Sequence, residues 1–125
     1  VSAADRPLPG SRALVASADR RLRDRVRVGL GGTGMFCDEV TSARAALERL
    51  ESMGHDYALV VVDMDLPGAA PGAIEDAAKV AVPHADVIRC GARRPGAEGT
   101  RGVWIGKPVD AAEIACVVQA MRSLA

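Results

Sequence analysis

The sequence predicts an α/β fold, a doubly wound five-stranded parallel sheet with helices on both faces. Two observations lead there. Short apolar runs alternate with amphipathic helical stretches, and the joints between them are short. Apolar residues make up 49% of the 125 residues while aromatics make up 2%, so the core must be built from Val, Leu, Ile, Ala and Met. Such side chains suit a sheet buried on both faces.

The elements follow in order. Residues 1–11 carry prolines, glycine and serine without an apolar period and read as a linker or tail. The chain opens on Val1 and is expected to be a piece of a larger protein, its folded part spanning 12–125. Arg12–Ala16 reads as a buried strand. Asp19 is placed to cap a helix whose Leu22, Val26 and Leu30 share one face, and Gly31-Gly32 to stop it. Met35–Val40 is a second strand, interrupted by Asp38 and Glu39. Thr41 is the expected N-cap of a helix marked by Ala43, Ala46, Leu47 and Leu50, ending at Gly54.

Ala58–Val62 is the strongest strand, five apolar residues closed by Asp63. A turn follows at Pro67-Gly68. Residues 72–80 suit a third helix, broken by Pro83, and Asp86–Cys90 a fourth strand. Residues 91–101 are rich in Gly, Arg and Pro and have no apolar period. Gly102–Ile105 is a short fifth strand. Asp110 with Glu113 forms a capping box for a last helix carrying Ile114, Val117, Val118, Met121 and Leu124.

Composition excludes several classes of function. Sixteen basic and sixteen acidic residues leave no net charge, which gives no global pull toward DNA or membrane. No run of about 18 apolar residues is present, and a cytoplasmic location is expected. Cys37, Cys90 and Cys116 lie far apart, which argues against a disulfide frame or zinc site and reads as small core residues. The arginines between Arg20 and Arg27 spread around the first helix and read as a solvated face. His55 and His84 fall in expected loops. No nucleophile–base pair or phosphate loop stands out, so a stand-alone enzyme is not expected; Gly31-Gly32-Thr33-Gly34 lacks the Lys of such a loop.

In open parallel sheets, sites form at the carboxyl ends of the strands. Asp63 ends one strand, and Lys107, before Pro108, ends another. A carboxylate there suits a phosphoryl acceptor or metal ligand, with the ammonium facing the phosphoryl group. On spacing alone, a structural Asp–Lys pair is an equally good reading.

The stretch Ala58-Leu-Val-Val-Val-Asp63-Met-Asp-Leu-Pro-Gly68 resembles the third strand and turn of two-component receiver domains. Gly106-Lys107-Pro108 resembles the joint closing their fifth strand, and Arg12–Asp19 is similar to their opening strand. The likeness spans roughly residues 12–124. It implies the flavodoxin-like (CheY-like) form of this sheet and a regulatory role beside kinase or other receiver domains. It also exposes departures. Where the family has an acidic pair that holds Mg²⁺, this chain has Ser17 and Ala18, and Mg²⁺ wants charged oxygen ligands. Where the family has a hydroxyl that bonds the phosphoryl group, it has Gly91, or Cys90 if the register slips. Trp104 stands where the family has a switching aromatic. The resemblance therefore implies a degenerate receiver, or pseudo-receiver, without bound Mg²⁺. In that reading Asp63 and Lys107 are vestigial and the domain regulates by docking, for instance inside a hybrid histidine kinase. A working phosphoacceptor, with Mg²⁺ on Asp19 and Asp63, and a ligand-free interaction module are the alternatives.

The connection after the fourth strand is shorter than the family's usual one, so its helix is expected to be short or missing. Arg89, Arg93, Arg94 and Arg101 cluster around it, close to Trp104, the single tryptophan. Guanidiniums beside an indole suit a phosphate-bearing ligand with a stackable base. A cyclic dinucleotide such as cyclic di-GMP meets that description, and Arg89-x-x-x-Arg93 resembles the arginine pair of some of its receptors. A solvated basic loop, with Trp104 filling a gap, is the competing expectation.

Overall fold

The computed structural model describes residues 12–53, 56–68, 72–91 and 103–123. Five parallel strands form one sheet: β1 (Arg12–Ala16), β2 (Phe36–Val40), β3 (Tyr57–Asp63), β4 (Asp86–Gly91) and β5 (Val103–Gly106), in spatial order β2-β1-β3-β4-β5. Four described helices cover it: α1 (Arg20–Gly31), α2 (Ala43–Met53), α3 (Ala73–Ala81) and α4 (Ala111–Ser123). The expected fold class stands. The expectation of a short or missing helix after β4 falls on residues 92–102, outside the described residues, as does the tail 1–11.

Alternation along the strands divides the core in two. Val15, Val61, Ile88, Cys90 and Ile105 face α1 and α4, packing on Leu22, Val26, Leu30, Ile114 and Val118. Leu14, Ala16, Val60 and Val62 face α2 and α3, packing on Ala43, Ala46, Leu50, Ile74 and Ala78. The run Val60-Val61-Val62 is continuous because β3 is central and buried on both faces. Gly29 lets α1 and α4 approach: a Cβ there would lie 2.6 Å from the Ala111 carbonyl oxygen.

Asp38 and Glu39 do not break β2. Asp38 accepts hydrogen bonds from the Tyr57 hydroxyl at 2.8 Å and from Arg12 at 3.2 Å, tying the edge strand to β1 and β3. Burial first, and then the Asp38 contact, push the Tyr57 phenol up to about 12. Glu39 pairs with Arg23 at 3.4 Å and Arg27 at 3.7 Å. The arginine run on α1 is therefore not simply a solvated face: Arg23 also donates to the Ser17 carbonyl, and Arg25 to that of Val109.

The caps need smaller corrections. Asp19 caps α1 as expected, accepting from the Arg21 N–H at 2.9 Å, and Asp110 likewise accepts from the Ala112 N–H. Ser42, not Thr41, caps α2; its hydroxyl accepts from the Ala45 N–H at 3.1 Å. Helix α1 runs one residue into the Gly31-Gly32 pair, and the left-handed glycine is Gly34. Cys90 is buried and Cys37 half-buried as small core residues, whereas Cys116 is exposed on α4. No helix among the described residues is long and apolar enough to cross a membrane.

Candidate functional site

The sheet brings Ser17, Asp63 and Lys107 together at the carboxyl ends of β1, β3 and β5. Ser17 follows the last residue of β1 and is fully buried. Asp63 is the last residue of β3 and only 4% exposed. Lys107 follows β5, its N–H bonded to the Gly91 carbonyl at 3.3 Å and its peptide bond to Pro108 cis.

Both oxygens of the Asp63 carboxylate are occupied. Oδ1 accepts from Lys107 Nζ at 2.6 Å and from the Asp65 N–H at 2.9 Å. Oδ2 accepts from the Ser17 hydroxyl at 2.7 Å. That hydroxyl is fixed in turn, since it accepts from the Asp19 N–H at 3.0 Å. The Lys107 ammonium also holds Asp65 at 2.8 Å. Sequence reasoning missed the Ser17 bond and the Asp65 side chain. A serine directly after a buried strand, on a level with Asp63, was the available signal for the first.

Burial alone would raise the Asp63 pKa, but the Lys107 ammonium, the Ser17 hydroxyl and the Asp65 N–H outweigh it and hold the carboxyl below its usual range. Burial would lower the Lys107 pKa, but the bonds to Asp63 and Asp65 raise it instead. The linkage signs follow. The Asp63 contribution to stability is complete above the unfolded carboxylate value, about 3.9, and is lost as pH falls through the depressed folded value. That of Lys107 is complete below the unfolded lysine value, about 10.4, and is lost as pH rises through the raised folded value.

This donor set does not fit Mg²⁺. A divalent ion needs several oxygen ligands, some charged, and no group of three or more His, Cys, Asp or Glu suited to a metal occurs among the described residues. Ala18 supplies no donor. The Asp19 carboxylate caps α1 with Oδ1 and lies on the exposed surface.

The neighbouring position is filled by an aromatic ring. Gly91 ends β4, and a Cβ on it would lie 2.6 and 2.8 Å from two carbons of the Trp104 indole and 3.6 Å from Met64 Cβ. The indole thus takes the space that a side chain at 91 would need. Cys90, the other candidate, is enclosed in the α1/α4 core, its thiol pushed up to about 12 by burial first and by Asp63 next. Gly91→Ala is expected to cost about 1–3 kcal/mol and to swing the indole outward. Because Trp104 is the single tryptophan, a red shift of its emission reads the movement directly.

Of the candidate ligand residues, Arg89 and Trp104 lie among the described residues. Arg89 lies inside β4, not on the loop, and its side chain is 6% exposed. It reaches Glu75 of α3 at 3.5 Å, itself 14% exposed. Arg89 and Trp104 are register partners on β4 and β5 and so share a sheet face, but the guanidinium is directed into the protein. The reason is positional: a residue two before the strand end, on the face covered by α3, is buried whatever its polarity. Arg93, Arg94 and Arg101 lie outside the described residues.

No protein-family model and no curated protein matches the sequence. The fold is that of response-regulator receiver domains. The chain resembles the chemotaxis response regulator CheY4 of Vibrio cholerae with a TM-score of 0.75 and 14% identity, covering 89% of this chain and 98% of that one. A response regulator receiver protein from Sinorhizobium medicae gives 0.73 and 22%, with coverage of 91% and 96%. The receiver domain of the hybrid histidine kinase CckA gives 0.74 and 20%, with coverage of 87% and 96%. Identities this low carry the fold alone.

Proposed function

We propose that this chain is a pseudo-receiver of a two-component signalling protein. It is a cytoplasmic regulatory module, not an enzyme, that docks on neighbouring kinase or receiver domains without taking up a phosphoryl group. One observation carries the reading. Asp63 is buried, and both its oxygens are held by partners of this same chain, Ser17, the Asp65 N–H and Lys107. A carboxylate nucleophile needs a free lone pair and charge neutralisation at the transferring group. Here Lys107, the Asp65 N–H and Ser17 already bond both oxygens, and Ser17 and Ala18 stand at the metal-ligand positions. The indole packed over Gly91 supports the reading further, because it leaves no room beside the site for a hydroxyl-bearing side chain.

The test is a Mg²⁺ titration followed by Trp104 emission, on the wild type and on Asp63→Asn. The expected result is no saturable change in either protein up to millimolar Mg²⁺. Saturable quenching of the wild type that disappears in Asp63→Asn would overturn the metal-free reading and support the working phosphoacceptor.

Control of docking by a cyclic dinucleotide such as cyclic di-GMP is the second part of the proposal. It rests on the basic sequence around Trp104, with Arg93, Arg94 and Arg101 as the proposed phosphate contacts, since Arg89 is buried against Glu75. Such a ligand regulates only if it binds docked and free states differently. Isothermal titration with cyclic di-GMP is expected to give saturable heat that Trp104→Ala and Arg93→Ala remove. Absence of heat at high ligand concentration would leave docking without ligand control.

A further inference from the structure

On the sheet face away from α1, helices α2 and α3 leave a cleft of about 420 Å³ between Leu47, Leu50, Ala77 and Val80. Val80 is 85% exposed, although its position is apolar. The charged residues lining the cleft are Glu51 and Asp76, both acidic. Neither carboxylate is hydrogen-bonded or ion-paired to a described residue. Apolar surface between two uncompensated carboxylates fits an apolar side chain carried beside a cation.

The opposite side of the molecule offers that combination. Helix α1 exposes Arg21, Arg25 and Val28, spaced i, i+4 and i+7 and therefore on one stripe. Val28 is 66% exposed. The Arg21 guanidinium has no partner among the described residues, and Arg25 lends one N–H to the Val109 carbonyl. The chain's zero net charge thus conceals a basic stripe on one face and an acidic cleft on the other.

We propose that the α1 stripe of one copy docks on the α2–α3 cleft of a second copy, with Val28 seated between the helices and Arg21 and Arg25 facing Glu51 and Asp76. The two surfaces lie on opposite faces of the sheet, so the contact is heterologous. It propagates head to tail into chains or a ring and does not close as a two-fold dimer. The inference is independent of the chemistry at Asp63.

Sedimentation of this domain from micromolar to millimolar concentration, at low salt, is the test. The weight-average mass is expected to rise past that of a dimer, and to fall at high salt as the charge pairs are screened. Val80→Ser, Arg21→Glu and the double variant Glu51→Lys/Asp76→Lys change exposed side chains and are expected to stay folded and monomeric at concentrations where the wild type associates. Mixing Arg21→Glu with Glu51→Lys/Asp76→Lys is expected to restore association, because each reversed surface then meets its complement. A wild type that stays monomeric throughout would overturn the proposal. So would a mass that levels off at the dimer, or association that these variants leave unchanged.

Discussion

Arg89→Ala is expected to destabilise the domain by about 3–5 kcal/mol, the range for removing one partner of a buried ion pair. The guanidinium is 6% exposed and lies 3.5 Å from Glu75, which α3 holds over β4. Truncating the arginine leaves the Glu75 carboxylate without that countercharge in a mostly dry setting, and the cost falls on the α3–β4 contact. A urea midpoint measured by circular dichroism checks it. Replacing both partners, Arg89→Met with Glu75→Leu, is expected to recover most of the loss, since an apolar pair of similar volume removes the desolvation cost. If Arg89→Ala instead unfolds at the wild-type midpoint, the side chain is not structural and a surface role for it returns. The point matters for any ligand experiment: lost binding in Arg89→Ala would report lost structure.

The double substitution Ser17→Asp, Ala18→Asp is expected to turn the site into a cation-dependent one. It removes the hydroxyl that bonds Asp63 Oδ2 at 2.7 Å and sets new carboxylates beside Asp63. Like charges about 4 Å apart repel by about 4 kcal/mol at an effective dielectric of 20, so the metal-free variant is expected to melt well below the wild type. Mg²⁺ binds the folded form alone and is expected to restore much of that loss, with a melting point that rises with ion concentration. The wild type is expected to show no such rise. A variant indifferent to Mg²⁺ would mean that the sheet mouth lacks the geometry for an ion even when the charges are supplied.

Most of the fold was legible because it rests on local signals. The run Val60-Val61-Val62 and the period of Leu22, Val26 and Leu30 each reflect burial that the sequence states directly. Asp63 and Lys107 were legible as site residues because strand ends are readable, and the structure places them in contact. What was not legible depends on pairs distant in sequence. Glu75 and Arg89 are unrelated by any motif, and only the packing of α3 on β4 makes them partners. Asp38 and Glu39 looked like interruptions of β2 until Tyr57, Arg12 and Arg23 stood opposite them. Ser17 read as a poor metal ligand; its hydrogen bond to Asp63 requires β1 and β3 to be neighbours in register. Trp104 read either as a stacking platform or as filling a gap; its packing against Gly91, the one residue type that leaves the ring room, depends on the pairing of β4 with β5.

The intact mass of the wild-type domain after incubation with a small acyl phosphate and Mg²⁺, with Asp63→Asn as control, reads phosphoryl uptake directly. Asp63 is buried and hydrogen-bonded on both oxygens, and under the proposed reading it takes up no phosphoryl group, so the expected spectrum is unchanged, identical to that of Asp63→Asn. A gain of one phosphoryl group by the wild type, absent in Asp63→Asn, would contradict the pseudo-receiver reading and make Asp63 a working acceptor.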